Sequence, residues 1–236
     1  VSPQRRARQK VTVTADLVIL TIRADRLNVL LVERANEPFA GKPALPGGFL
    51  RGRESLDETA ARELAEETGM DAARLHLEQI GVYSDPDRDP RDPRVITCAY
   101  LAIAPDLPLP TAGSDARAAR WVPVAEAERV RLAFDHGDIL RDGVELARDK
   151  LQFTTVATAF CGDEFTIGDL RAVYEAVWGV ALDKPNFHRK VTDADGFVVA
   201  TGGKRPTAGG RPAALYRAGG ATVLSPPMMR SRRTGE

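Results

Sequence analysis

Residues 48–70 read GFLRGRESLDETAARELAEETGM, and the placement of their charges decides how the chain is read. Ser55 and Glu58 stand at the S-x-x-E spacing of a capping box, and Gly69 is placed to end what they begin, so a helix is expected over Ser55–Glu67. Leu56, Ala60 and Leu64 recur every four residues and give that helix an apolar stripe. Glu63, Glu66 and Glu67, three and four residues apart, share the opposite face. Carboxylates gathered in this way repel one another unless a hard divalent cation neutralises them. Mg²⁺ (or Mn²⁺) takes oxygen ligands of this kind and bridges them to phosphates. Arg62, four residues before Glu66, is placed to hold the cluster in register. The glycines at 47 and 48 let backbone approach the same spot closely.

Upstream, Val11–Ile22 alternates loosely and Leu27–Val32 repeats the trend, as two paired strands would. Residues 39–53, rich in Gly and Pro, read as a long loop. Downstream, Ile80–Tyr83, Val95–Ala102 and Trp121–Pro123 read as strands, followed by a helix-rich stretch to about Lys150. There the pattern changes. Phe153–Phe160, Ile167–Trp178 and Pro185–Val191 read as helices, and two short strands, Phe197–Thr201 and Ala213–Arg217, flank a glycine-rich turn. Three helices and a hairpin outline a winged helix-turn-helix. The fold class is therefore α+β, with an α/β domain over 1–150, a winged-helix domain over 151–224, and a tail at 225–236 expected to be mobile.

Composition excludes several classes. The chain has 236 residues, 28% of them charged and 43% hydrophobic, too apolar for a disordered protein. Thirty-three basic residues balance 33 acidic ones, so no wholesale attraction to nucleic acid follows. The balance hides a split: residues 151–236 hold 11 Lys/Arg against 8 Asp/Glu, and residues 1–150 hold 22 against 25. Two cysteines, Cys98 and Cys161, are too few for a disulfide framework or a cysteine-based zinc site. No run of about 18 apolar residues could span a membrane, and the start of the chain lacks the apolar core of a secretory signal. A cytoplasmic location is expected.

Gly48, Glu54, Arg62, Glu63, Leu64, Glu66, Glu67, Gly69 and Met70 match every defined position of the Nudix box, G-x5-E-x7-R-E-U-x-E-E-x-G-U, so the sequence resembles the Nudix hydrolase superfamily. The resemblance implies an α/β/α sandwich and a substrate with a nucleoside diphosphate linked to another group. It implies Glu63, Glu66 and Glu67 as metal ligands, with Glu54, Arg62 and Glu67 in the catalytic group and Gly48 beside the ligand. Pro86, 16 residues past Met70, resembles the mark of the ADP-ribose pyrophosphatase branch. Arg88 and Arg91, in the same loop, are candidates for phosphate contact.

The stretches LRAVYEAVWG at 170–179, NFHRK at 186–190 and GRPAALYR at 210–217 stand in an order that resembles the Nudix-related transcriptional regulators of the NrtR family. That family pairs a Nudix domain with a winged helix and controls NAD and niacin metabolism. The residues point the same way independently. Between Lys184 and Arg217 seven basic residues face only Asp193 and Asp195. Phe187 and Val191 are spaced to face a core, which leaves Asn186, His188, Arg189 and Lys190 on the outer side of a recognition helix. Lys204, Arg205 and Arg211 fall on the wing, where phosphate or minor-groove contact is expected. Two readings follow. One is a homodimeric repressor that binds operator DNA and releases it when its Nudix domain senses ADP-ribose or a related nucleotide. The other is a Mg²⁺-dependent ADP-ribose pyrophosphatase with an accessory winged helix.

Overall fold

The structure is a computed structural model that describes residues 9–69, 75–103, 105, 116–207 and 210–230. In chain order the elements are β1 (Val11–Arg23), β2 (Arg26–Arg34), β3 (Pro43–Ala44), β4 (Gly47–Phe49), α1 (Leu56–Thr68), β5 (His76–Tyr83), β6 (Arg94–Ile103), β7 (Ala116–Pro123), α2 (Val124–Ala127) and α3 (His136–Phe153). They are followed by α4 (Ile167–Trp178), α5 (Lys184–Asp193), β8 (Val198–Thr207) and β9 (Gly210–Ala218).

Strands β1 to β7 form one mixed sheet, ordered β3-β2-β1-β6-β5, with β4 pairing β1 and β7 pairing β2. The central pair, β1 and β6, is parallel over ten residues from Val11↔Arg94 to Leu20↔Ile103. Residues 15–20 of β1 are all buried, so its apolar residues run on without the clean alternation of a half-solvated strand. Leu17 and Ile19 pack with Ala60 and Leu64 of α1, whereas Val18 and Leu20 pack with Ile139, Leu140 and Val144 of α3. This is an α/β/α sandwich. Gly143 lets α3 lie close on the sheet, since a Cβ there would come within 2.9 Å of Val18 Cγ2.

Helix α3 does not stop with the sandwich. The cluster that holds its Ile139 and Val144 continues through Leu151 into Phe165, Leu170, Tyr174, Trp178, Phe187, Val191 and Phe197. Trp178 Nε1 donates to Arg148 O at 3.1 Å, and Arg148 Nε donates to Val177 O at 3.1 Å, so α3 and the end of α4 are stitched reciprocally. Thr166 and Asp169 form a reciprocal capping box that starts α4, and Gly179 in the left-handed region ends it. Tyr174 meets Trp178 and Phe187 edge-on at 4.8 and 5.3 Å, which fixes α5 against α4.

Several expectations need correction. Residues 39–53 contain β3 and β4, too short to leave a periodic signal. Phe153–Phe160 is not a helix: α3 ends at Phe153, Thr154 turns extended, and only a 3₁₀ turn follows at Val156–Phe160. Thr154 Oγ1 donates back to Lys150 O and Thr155 Oγ1 donates across to Ala221 O, both at 2.7 Å, so the chain at this point is held by a distant segment and leaves the helix. Helix α3 thus crosses residue 150, where the first domain was expected to end. Strand β7 begins five residues before Trp121, because ladder bonds to β2 outweigh the weak propensity of its alanines and arginines. Residues expected to form a mobile tail pack against the end of α3 as far as they are described. Leu224 N donates to Phe153 O and Met228 N to Gln152 O, both at 2.8 Å, and both side chains are buried. Residues 231–236 of that tail lie outside the described residues, as does Met70.

Met228→Ala should therefore destabilise the protein by about 2–5 kcal/mol, the usual cost of emptying a buried Met site. Denaturant unfolding of both proteins measures it; an unchanged midpoint would mean that the segment does not contribute to the core.

Candidate functional site

The capping box predicted for α1 is present, with Ser55 as N-cap, and Gly69 closes the helix at φ +71°. The acidic face it sets up is less solvated than its spacing suggests: Glu66 is exposed, but Glu63 and Glu67 are buried beneath β4. Arg62 organises them. Its Nε and Nη2 donate to the two oxygens of Glu54 at 2.8 and 3.1 Å. Its Nη1 lies 2.5 Å from Glu63 Oε1 and 3.3 Å from Glu66 Oε1, and Nη2 also reaches Phe49 O. The bond from Arg62 holds the Glu54 carboxyl down at about 2. Burial first, then repulsion from Glu63 and Glu66, pushes Glu67 up to about 7. Burial also raises Glu63.

This donor set fits a divalent cation. All its groups are carboxylate oxygens, and Glu67 Oε2 is buried with no hydrogen-bond partner among the described residues. Gly48 leaves the approach open, since a Cβ there would sit 1.9 Å from Glu63 Oε1. Among the described residues no three His, Cys, Asp or Glu side chains already converge on one point, because Arg62 and Arg51 occupy Glu63 and Glu66.

The carboxylates form one wall of a cavity of about 750 Å³. Gly48, Arg88 and Arg91 line it as expected; Pro86 is exposed and does not. Arg88 is not the free phosphate ligand that the sequence suggests. It is buried, forks onto Asp135 at 2.7 and 2.8 Å, and reaches Asp16 at 3.4 Å. Arg91 is clamped by Asp89 and lies over the rings of Phe49 and Phe134 at 5.1 and 5.3 Å.

Sequence reasoning missed the cavity floor. His136 Nδ1 accepts a hydrogen bond from Leu45 N at 2.9 Å, which leaves Nε2, 3.5 Å from Asp16, as the protonated nitrogen. Burial alone would raise the Asp16 pKa, but His136 and Arg88 outweigh it and lower it. One signal was present: Asp16 is a lone acid inside the apolar run of β1, and buried acids are paired. His136 is the first residue of α3 and Asp135 its N-cap, so the cavity is lined in part by the residue that opens the helix running into the winged half.

In that half, Phe187 and Val191 of α5 are buried, while Asn186, His188, Arg189 and Lys190 are exposed. Asp183 caps the helix through Asn186 N, and Arg189 bonds Asn186 Oδ1 at 3.0 Å. On the wing Lys204 is exposed, Arg205 is held by Asp169, and Arg211 lies in β9, its side chain outside the described residues. Every candidate DNA residue thus lies in the winged half, on α5 or on the β8–β9 hairpin.

Comparison with known proteins matches the NUDIX domain model to residues 12–143 and the NrtR DNA-binding winged helix domain model to residues 157–218. The ADPR responsive transcriptional repressor NtrR of Acinetobacter baylyi is 32% identical over 206 residues, which is 86% of this chain and 80% of that protein. The crystal structure of Shewanella oneidensis NrtR complexed with a 27mer DNA superposes with a TM-score of 0.74 at 32% identity, over 87% of this chain and 93% of that one. The NUDIX domain of the same protein, complexed with ADP ribose, gives 0.51 at 32% identity, over 62% and 94%.

A raised carboxyl pKa favours the folded state only while the group is protonated. Metal-free protein should therefore lose stability as pH rises from the ordinary Glu value through about 7. Glu67→Gln should melt with the wild type at about pH 4, below the ordinary Glu value. At pH 8 without metal it should melt at least about 2 °C higher, the shift that 1 kcal/mol produces in a chain of this size. Equal melting at both pH values would remove the buried repulsion.

Proposed function

The chain belongs to the NrtR family of Nudix-related regulators, and from that premise we propose that it is a DNA-binding repressor of NAD and niacin metabolism genes. In this reading its Nudix half senses ADP-ribose or a related nucleotide and thereby releases DNA. The observation that carries the reading is the path of α3, whose first residue His136 lines the cavity and whose Ala147 and Leu151 lie in the core shared with α4, the helix on which α5 packs. A ligand that pulls on Arg88 or Asp135 acts on the start of the helix whose far end packs against α4, which in turn seats the recognition helix.

Each group has a task in this scheme. Glu63, Glu66 and Glu67 would hold Mg²⁺ or Mn²⁺, the family in general using divalent cations, and Arg62 would keep their carboxylates aligned. The cation, when bound, neutralises the pyrophosphate and lowers the pKa of nearby water. Gly48 admits the diphosphate to the carboxylate wall, and Arg91, beside the Phe49 and Phe134 rings and paired with Asp89, adds a cation to the same lining. Pro86 shapes the loop that carries Arg88 and Arg91. On DNA, Asn186, His188, Arg189 and Lys190 would face base edges in the major groove, with Lys204 and Arg211 on phosphates. A cytoplasmic homodimer fits the task, since one recognition helix reads few base pairs and symmetry doubles the site.

A second reading, an active ADP-ribose pyrophosphatase, is favoured by one observation: the residues of the Nudix box that are described are all in place, with Glu54 held ionised by Arg62. Both readings are addressed by the same experiment. Duplex DNA selected by the full-length chain from a random pool is titrated with and without ADP-ribose, and turnover of the nucleotide is followed in the same tubes with Mg²⁺. Repression predicts an affinity loss of about 5–150-fold, matched by an equal loss of ADP-ribose affinity on saturating DNA. Turnover with no change in either affinity would leave the enzyme reading standing and remove the sensor.

A further inference from the structure

Of the three basic residues assigned to the wing by sequence, Arg205 is spoken for. Its Nη1 lies 2.6 Å from Asp169 Oδ2, and its Nη2 donates to Glu164 O at 3.3 Å. Asp169 is no incidental surface acid. The same Oδ2 accepts a hydrogen bond from Thr166 N at 2.8 Å, and Asp169 N donates to Thr166 Oγ1 at 3.1 Å, so Asp169 belongs to the capping box that starts α4. A second attachment lies alongside. Phe165 and Tyr216 exchange two backbone hydrogen bonds of 2.8 Å, which tie β9 to the residue just before that cap.

The path of β8 explains how Arg205 reaches so far. Its register with β9 moves by two residues between Ala200↔Tyr216 and Lys204↔Ala214, and Gly202 sits there at φ +80°. An irregularity of this kind bends a strand and re-aims the side chains beyond it. The outer half of the wing is thereby turned so that Arg205 points back onto α4. Its neighbour Lys204 is exposed and makes no ion pair among the described residues.

We propose that Arg205 is a positioning residue for DNA binding: its fork on Asp169 and the Glu164 carbonyl sets the angle of the wing, and Lys204 supplies the phosphate contact. The ligand of Arg205 is α4, not DNA. This rests on the DNA-binding reading above and refines which wing residue touches the duplex.

The two roles differ in the sign of one variant. If Arg205 were a phosphate ligand, Asp169 would compete with DNA for it, and Asp169→Asn would leave affinity unchanged or raise it. If Arg205 positions the wing, Asp169→Asn lowers affinity. Salt dependence gives an independent reading, since each phosphate contact contributes about 0.9 to the slope of log affinity against log salt. The probe is the duplex selected from a random pool by the wild-type chain, titrated with full-length variants across a salt series. Arg205→Gln and Asp169→Asn should each weaken binding by up to about fivefold, the worth of an exposed ion pair, at unchanged slope. The double variant should be no weaker than either single one. Lys204→Gln should flatten the slope by about 0.9. A flattened slope in Arg205→Gln, or unchanged or tighter binding by Asp169→Asn, would overturn the proposal. Because Asp169 also caps α4, melting curves accompany the titrations. Should Asp169→Asn prove unfolded, the slope of Arg205→Gln alone decides. If the wild-type chain selects no duplex even at low salt, the DNA-binding reading itself fails, and the proposal with it.

Discussion

The rest of the structure depends on the burial of α3 along its whole length. A helix on the face of a sandwich normally covers one sheet and ends. This one continues for its last turns beneath a second set of helices, so Val144 and Leu151 belong to the same apolar cluster as Tyr174 and Phe187. Separating the two halves would expose that shared surface and free the reciprocal bonds between Arg148 and the end of α4. The halves are therefore one packed body joined by a stiff element. Interiors packed at this density shift between discrete arrangements and do not deform smoothly, which is what a switch requires.

Two arginines make the charged part of the site tolerable. Arg62 ties Glu54, Glu63 and Glu66 together at one wall, and Arg88 ties Asp16 and Asp135 together at the floor. Each carboxylate would be costly to bury alone. The two forks differ in what they grip. Arg62 bridges groups from one helix and the loop before it, so it stabilises the carboxylate face locally. Arg88 bridges the loop after β5, the central strand β1 and the residue that opens α3, so it joins the cavity to the helix that leaves it. Glu67 has no such arginine among the described residues, and burial together with repulsion from Glu63 and Glu66 raises its pKa unopposed.

The sequence made the carboxylate helix legible because capping, stripe and charge all repeat at short range within 23 residues, from Gly48 to Met70. Helices α4 and α5 were readable for the same reason, down to the outward set on α5. What was illegible depends on distant partners. Asp16, Asp135 and His136 come together across more than a hundred residues, and nothing near any of them in sequence announces the others. Arg88 and Arg205 show the converse limit. An exposed loop or wing is a fair place to expect a free arginine, but Asp135 and Asp169 reach these two from other elements. The tail looked unstructured because two backbone bonds and one buried methionine leave no periodicity.

The central claim is that the nucleotide cavity and the recognition helix communicate through α3. Hydrogen exchange read segment by segment, on the full-length chain with and without ADP-ribose and Mg²⁺, tests it most directly. The account predicts altered protection around Arg88 and Asp135 together with altered protection in the last turns of α3 and in α4 or α5. Changes confined to the cavity, with α4 and α5 exchanging at the same rates in both states while the ligand is bound, would contradict it.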